Sequence, residues 1–159
     1  MQGGREVHFL TTLKPNTKMI RQQIHIKTDK VGWKARIYYV VTELHADEIM
    51  EQLKGLRISG DKMQEAEANL YQGKIDTGLT YSNGNEHKTV MVIAKTSSAM
   101  EFACSQQHEV GHLKSHIAEA YNIPQEGEEI QYLGDEIYRQ MWPIARTLLC
   151  DCCRHGEAT

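Results

Sequence analysis

Two histidines and a glutamate in the second half of the chain have the types and the spacing needed to bind a metal ion. His108-Glu109-Val110-Gly111-His112 has the form H-E-x-x-H. Residues four apart lie on one face of a helix, so both imidazoles can reach the same ion. Neutral imidazole nitrogens suit Zn²⁺, which prefers a tetrahedral site. Glu109, beside the first ligand, is placed to act as a general base toward a water molecule held by the ion.

The residues around this motif favour a long helix. Ser98 followed by Glu101 fits a capping box at a helix start, and no proline occurs from there to Tyr121. Apolar residues recur at helical spacing between these bounds, which predicts one face against a core. Gly111 is the one glycine in the helix and costs about 1 kcal/mol relative to alanine. Its small size would allow a neighbouring segment to approach closely.

A catalytic zinc site needs a third protein ligand and one open position. Residues 122–127 predict a turn, and a second helix is predicted from Glu128 toward Trp142, before Pro143. Glu128 and Glu129 are the candidate ligands, because a carboxylate in the first turn of this helix could return over the histidine face. Either glutamate could instead serve as the favourable negative charge at a helix N-terminus.

An H-E-x-x-H helix, a turn and a helix with a glutamate resemble the gluzincin branch of zinc metallopeptidases. In that family the third ligand is a glutamate on the following helix, which implies Glu128 here. Glu129 stays open, because the residues that follow depart from the family's pattern. The resemblance implies Zn²⁺, a peptide or protein substrate, and hydrolysis by water that Glu109 activates. A hydroxyl from Tyr132 or Tyr121 is then a candidate to stabilise the oxyanion.

The second half of the chain also looks like a group of small proteins carried by bacterial prophages and related mobile elements. This resemblance rests on order: residues 78–83, an apolar strand, the H-E-x-x-H helix, and then Gly127-Glu128-Glu129 with Tyr132-Leu133. It implies a metal site and no particular reaction. The alternative function is therefore a non-catalytic structural or interaction protein that keeps a zincin-like metal site. The short chain leaves little room for a substrate-binding second lobe, which favours this alternative or a narrow substrate.

The remaining segments predict an α+β fold, in which a small, mainly antiparallel sheet packs against the H-E-x-x-H helix and the helix after it. Alternating and β-branched stretches predict strands, amphipathic stretches predict helices, and Asn83-Gly84 favours a hairpin. In zincins an edge strand beside the metal helix holds extended peptide, and the resemblance implies this role for the hairpin of residues 78–94. The alternative is an ordinary hairpin that packs on the helix. The predicted strands are 7–10, 20–26, 33–42, 78–82 and 89–94; the predicted helices before the motif are 45–53 and 61–71.

Length and composition indicate one globular domain. With 159 residues, 40% apolar and 25% charged, the chain predicts a single domain over residues 1–149. A net charge of −3 does not favour nucleic acid or an anionic membrane as a partner. No apolar run approaches the length of a membrane span, and the N-terminus lacks an apolar signal core. These features predict a cytoplasmic protein with reduced thiols.

Three of the four cysteines lie at the end of the chain. Cys150, Cys152 and Cys153, with His155, are of types that bind soft metals, but their spacing is not that of a zinc ribbon. Residues 150–159 are therefore interpreted as a reduced, partly disordered tail. Cys104, one turn before the motif, is interpreted as a small buried residue.

Overall fold

The described part of the chain forms a four-stranded sheet with helices on both faces. The computed structural model describes residues 18–154, so the strand predicted at 7–10, a turn predicted at 14–17 and His155 lie outside the described residues. A short 3-10 turn, Glu43–His45, precedes the first helix. In chain order the other elements are β1 (Ile20–Lys27), β2 (Gly32–Val41), α1 (Ala46–Leu56), α2 (Gly60–Tyr71), β3 (Gly78–Asn83), β4 (Lys88–Ala94), α3 (Ala99–Tyr121), α4 (Glu128–Leu148) and α5 (Asp151–Arg154).

Two antiparallel hairpins joined by one parallel pair make up the sheet, in the order β1-β2-β4-β3. β1 pairs with β2 and β3 with β4 in antiparallel fashion, whereas β2 and β4 are parallel. The prediction of an α+β fold is confirmed. The parallel pair arises because the chain crosses over through α1 and α2 before it returns. β3 is an edge strand, and within residues 18–154 no strand pairs with its outer side.

Each face of the sheet buries its own apolar core. α3 and α4 cover one face, where Met91 packs with Leu113 and other fully buried side chains. α1 and α2 cover the other face, where Val92 packs with Leu53 and Leu70. Successive residues of a strand point to opposite faces, so β4 supplies both cores. This explains why the sequence of β4 is continuously apolar instead of alternating.

The helix predicted from Glu128 toward Trp142 is longer than expected. The sequence predicts an end before Pro143, but α4 continues to Leu148. Pro143 lies on the exposed side, while Met141, Ala145 and Leu148 extend the buried stripe past it. Proline removes one helical hydrogen bond, at a cost of about 3 kcal/mol. Burial of the stripe on the opposite side offsets that cost, so the helix does not end there.

The long helix predicted around the motif is confirmed as α3, with one change at its start. Ser98 Oγ accepts a hydrogen bond from the backbone N–H of Glu101 at 3.1 Å. Glu101 Oε2 accepts from the backbone and the hydroxyl of Ser97, at 2.9 and 2.7 Å. The carboxylate thus reaches one residue further back than the capping box predicts. Asp151, from α5, accepts from the N–H of Ala99 at 2.9 Å and adds a second cap.

Gly111 does not have the role that its size suggested. A Cβ built on it would meet no atom within 4 Å, so no neighbouring segment packs closely there. The expected close contact occurs instead on α4, where a Cβ on Gly134 would lie 3.0 Å from Lys114 Cδ.

Candidate metal centre

The two histidines of the motif converge on one point. His108 Nε2 and His112 Nε2 are 3.2 Å apart, and both side chains are exposed on α3. Two nitrogens at about 2.05 Å from a tetrahedral ion lie about 3.3 Å apart, so this spacing fits a shared ion. Ligand atoms of His108, Glu109 and His112 all lie within 4.8 Å of one another. The predicted His-Glu-x-x-His group is therefore formed and could hold a metal ion.

The carboxylate of Glu109 is buried, and among the described residues only one of its two oxygens has a hydrogen-bond partner. Its side chain is 1% exposed, although both flanking ligands are exposed. Thr80 Oγ1 donates to Oε1 at 3.3 Å, but Oε2 is buried and has no hydrogen-bond partner among the described residues. A buried acceptor left without a partner costs about 1–3 kcal/mol. A cation or a water molecule beside the imidazoles would satisfy this oxygen.

Burial shifts the protonation equilibria of the site. Burial raises the pKa of Glu109 to about 7, and the hydrogen bond from Thr80 opposes the rise. Burial lowers the pKa of His112, and the nearby His108 lowers it further. The neutral imidazole is the form that binds a metal ion. The His112 imidazole is thus biased toward the neutral form that can bind a metal ion.

The β3 side of α3 carries hydrogen-bonded polar residues that the sequence analysis did not identify as part of a site. Ser82 Oγ lies 2.7 Å from His116 Nδ1 and 2.7 Å from Thr89 Oγ1. Trp33 Nε1 donates to Thr89 Oγ1 at 2.8 Å, so a chain of hydrogen bonds runs from the core to the histidine row. Burial lowers the pKa of His116. Period-two alternation in β3 was the available signal, because it puts Thr80 and Ser82 on one face.

A cavity of about 560 Å³ opens along this side of the site. Thr80, which contacts Glu109, lies in its wall with His116. Lys62 from α2 and Glu119 from α3 add one charge of each sign. Burial raises the pKa of Tyr81, another wall residue, and the negative charges of Glu65 and Glu109 raise it further. The space beside the buried carboxylate is therefore polar and bounded by the edge strand.

The candidate residues on α4 lie elsewhere. Glu128, Glu129 and Tyr132 line a cavity of about 360 Å³ with residues 28–31 of the β1–β2 turn. Glu129 Oε1 is 3.5 Å from Lys30 Nζ, and Tyr132 is 66% exposed. Neither glutamate belongs to the ligand group that the described residues form. The structure thus brings together His108, Glu109 and His112. The other predicted site residues, Glu128, Glu129 and Tyr132, lie at a different cavity.

The packing of the two helices explains this separation. Lys114 contacts α4 at Gly134, and it follows His112 by two residues, or about 200° around the helix. α4 therefore covers the side of α3 that faces away from the histidines. Glu128 precedes Gly134 by six residues, or about 9 Å along α4. That distance carries it toward the C-terminal end of α3.

Tyr121 and Cys104 both lie outside the group formed by His108, Glu109 and His112. Tyr121, the second tyrosine considered for the oxyanion, donates to Gly32 O at 3.0 Å, accepts from Gly32 N, and lies 2.9 Å from His87 Nδ1. Its hydroxyl holds the β1–β2 turn and the β3–β4 turn to α3. Cys104 is exposed, so the interpretation of a buried residue is wrong.

Comparison with family models, with curated proteins and with solved structures found no match to this chain. Among the described residues, no helix is both long and apolar enough to cross a membrane. The function must therefore be argued from the site itself.

Proposed function

We propose that this protein is a zinc-dependent hydrolase of peptide bonds, with an H-E-x-x-H site at His108, Glu109 and His112. One observation carries the proposal: the carboxylate of Glu109, with one buried oxygen that has no hydrogen-bond partner among the described residues, lies within 4.8 Å of two imidazole nitrogens that are 3.2 Å apart. Three polar groups in this arrangement fit an ion and one water molecule better than they fit an apolar core. Imidazole ligands favour Zn²⁺ among the common divalent ions without redox chemistry.

In the proposed reaction, different residues of the chain bind the metal, accept the proton and position the base. Bound Zn²⁺ would supply a Lewis acid that polarises the scissile carbonyl and acidifies water. His108 and His112 would hold the ion, and burial lowers the pKa of His112, which favours the neutral form that binds a metal. Glu109 would accept a proton from the attacking water through Oε2, which has no hydrogen-bond partner among the described residues, and would pass it to the leaving amine. Thr80 holds the other carboxylate oxygen and so fixes the direction in which the base points.

The substrate in this proposal is an extended peptide lying along β3. An unpaired strand edge offers backbone N–H and C=O groups to a peptide, which can then add to the sheet. Thr80 connects this strand to Glu109, so a peptide paired with β3 would pass beside the base. The cavity of about 560 Å³ that includes Lys62 and His116 has room for a polar side chain.

The test combines metal content with cleavage. Protein purified without nickel resin or chelator is analysed for zinc, and a peptide library is digested with wild type, Glu109→Gln and His112→Ala, all with zinc present. We expect Glu109→Gln to keep zinc and to lose cleavage by about 10²–10⁴-fold, because its amide cannot accept the proton. His112→Ala should lose zinc and cleavage together, because a ligand is gone.

Each other outcome has a definite meaning. Cleavage by Glu109→Gln at the wild-type rate would rule out the base. Zinc binding without cleavage by wild type would support the non-catalytic alternative, an interaction protein with the same metal site. His25→Ala, a change at an exposed histidine of β1, serves as the matched control and should keep both zinc and cleavage.

A further inference from the structure

A cluster of positive side chains lies beside the C-terminal end of α1, on the sheet face opposite the metal helix. Lys34 and Arg36 of β2 and Lys88 of β4 are exposed, and they share their strand face with Tyr38 and Val90 of the core under α1 and α2. The three cations line a cavity of about 330 Å³, and none of its described lining residues is a carboxylate. The net charge of the protein is −3, so an overall basic composition does not explain this cluster.

We propose that this cavity is an anion site that binds a small organic molecule through its phosphate group. A guanidinium binds phosphate with paired N–H donors, and lysine ammonium groups bind it as point charges. The cavity volume lies at the lower end of the range of about 300–1,000 Å³ that is typical of small-molecule sites. Leu56 and Val90 supply an apolar wall for the organic part of the ligand. The sheet separates this cavity from α3, so the proposal does not depend on the proposed hydrolysis.

Two of the cations are direct neighbours in the sheet. Lys34 pairs with Lys88 in the parallel register of β2 and β4, and both side chains leave the sheet on the same face. Like charges at paired positions repel each other and destabilise a sheet. Glu86 lies 4.0 Å from Lys88 Nζ but also 3.8 Å from Arg57 Nη1, and Lys34 forms no ion pair within residues 18–154. A bound anion would offset this repulsion.

The third cation is held in place by neutral groups. Arg36 Nη1 donates to Gln52 Oε1 at 2.7 Å, and Nη2 donates to Gln23 Oε1 at 3.4 Å. Both acceptors are amides, so they position the guanidinium without neutralising its charge. Glu48 of α1 is paired with Arg21 at 2.6 Å instead.

The contact with Arg36 also orients the amide of Gln52. A guanidinium has N–H donors and no acceptor, so Gln52 must turn its oxygen toward Arg36. The amide nitrogen of Gln52 then has no hydrogen-bond partner among the described residues. Because Gln52 lines the cavity, this NH₂ group is a further donor for a phosphate oxygen. The site thus combines three positive charges with a neutral donor of fixed orientation.

The experiment measures binding of two phosphate probes to metal-free protein. Full-length protein with a chelator present is titrated calorimetrically with inorganic phosphate and with phenyl phosphate, at an ionic strength held constant with potassium chloride. We expect saturable binding of one phenyl phosphate per chain, and weaker binding of inorganic phosphate because it lacks the part that packs on the apolar wall. Equal or tighter binding of inorganic phosphate would overturn the assignment to an organic phosphate.

Variants separate this site from a general effect of charge. Lys34→Gln, Arg36→Gln and Lys88→Gln should each weaken binding of phenyl phosphate by at least about tenfold, because each removes a charged donor. Lys74→Gln removes the same charge from an exposed lysine that does not line the cavity, and it should bind as wild type does. An equal loss in Lys74→Gln, or no saturable binding by wild type, would overturn the proposal.

Thermal unfolding supplies a readout that a structural role for Lys34 would move in the opposite direction. In phosphate-free buffer, Lys34→Gln should unfold at or above the wild-type temperature, because the repulsion from Lys88 is relieved. Added phenyl phosphate should raise the unfolding temperature of wild type and of Lys74→Gln, and should raise that of Lys34→Gln less. A lower unfolding temperature of Lys34→Gln without phosphate would show that the lysine stabilises the fold itself, and would contradict the proposal.

Discussion

Glu109 and the Glu128–Glu129 pair are carboxylates assigned to the same site from sequence, and their surroundings are opposite. Glu109 is 1% exposed, is held by Thr80 and has one oxygen without a partner among the described residues. Glu128 and Glu129 lie in the first turn of α4, and the side chain of Glu129 is 46% exposed and is paired with Lys30. Negative charge at that position is already stabilised by the helix N-terminus and by the lysine.

The difference shows which part of a metal site the chain can specify locally. His108, Glu109 and His112 share one helix, so their spacing alone sets their geometry. A ligand from α4 depends on which side of α3 that helix packs against. Here the packing residue Lys114 lies about 200° from His112, and α4 follows it. The question that separates the two regions by experiment is therefore whether a carboxylate of α4 serves as the third metal ligand.

The largest expected effect is on metal binding. His112→Ala should lower zinc affinity more than about 100-fold, because even an outer-sphere partner of a ligand is worth about 10–100-fold. The double variant Glu128→Gln/Glu129→Gln should change affinity by less than about threefold, because neither carboxylate joins the ligand group. Competition with a chromogenic chelator measures both. A loss in the double variant as large as that in His112→Ala would place α4 in the site and restore the sequence prediction.

The next effect is the pH dependence of stability in metal-free protein. The pKa of Glu109 is about 7 when folded, above its usual value near 4.5. A raised pKa adds stability that is fully present below the unfolded value and is lost as pH rises through the folded value. Wild type should therefore lose on the order of 2 kcal/mol more than Glu109→Gln between pH 4.5 and 8. Urea denaturation of both proteins with chelator present gives this difference.

The comparison also predicts which carboxylate can be removed without a change in the pH dependence of stability. The matched control for this measurement is Glu128→Gln, because the carboxylate of Glu128 is exposed to solvent. Its pH profile should follow wild type. A flat difference between wild type and Glu109→Gln would mean that Glu109 is not desolvated in the folded protein.

A smaller effect concerns the glycine inside the motif. Gly111→Ala should stabilise the protein by about 1 kcal/mol, because the helix gains propensity and the added Cβ meets no atom within 4 Å. Zinc affinity should stay the same, since the histidine spacing is unaltered. Thermal unfolding with and without zinc tests both statements. Destabilisation by alanine would reveal a close neighbour on this side of α3.

The smallest effect is expected at the exposed ion pair. Glu129→Gln should change the free energy of unfolding by about 0.5 kcal/mol or less, because an exposed pair with a 3.5 Å N···O distance contributes little. The change should shrink further in high salt. Urea denaturation at two ionic strengths measures it. A loss above about 2 kcal/mol would show that this carboxylate has a partner of greater importance.

Much of this molecule could be predicted because its signals are local. The bounds of α3 follow from Ser98 and from the uninterrupted helical spacing after it, and the β3–β4 hairpin follows from Asn83-Gly84. The end of α4 could not be predicted from Pro143 alone, because burial of Leu148 depends on the sheet beneath it. The contact between Thr80 and Glu109 joins residues 29 apart in sequence, and no local pattern contains it.

The parallel pair of β2 and β4 sets an order of assembly. Lys34 pairs with Lys88, so this contact closes a loop that includes α1, α2 and β3. Such distant pairing forms late in folding, because the entropy of loop closure is lost before the contacts are gained. β3 becomes an edge strand beside Glu109 only when β4 has joined the sheet. The two histidines need only a helix, so we expect a nascent chain to capture metal before the carboxylate beside it is buried.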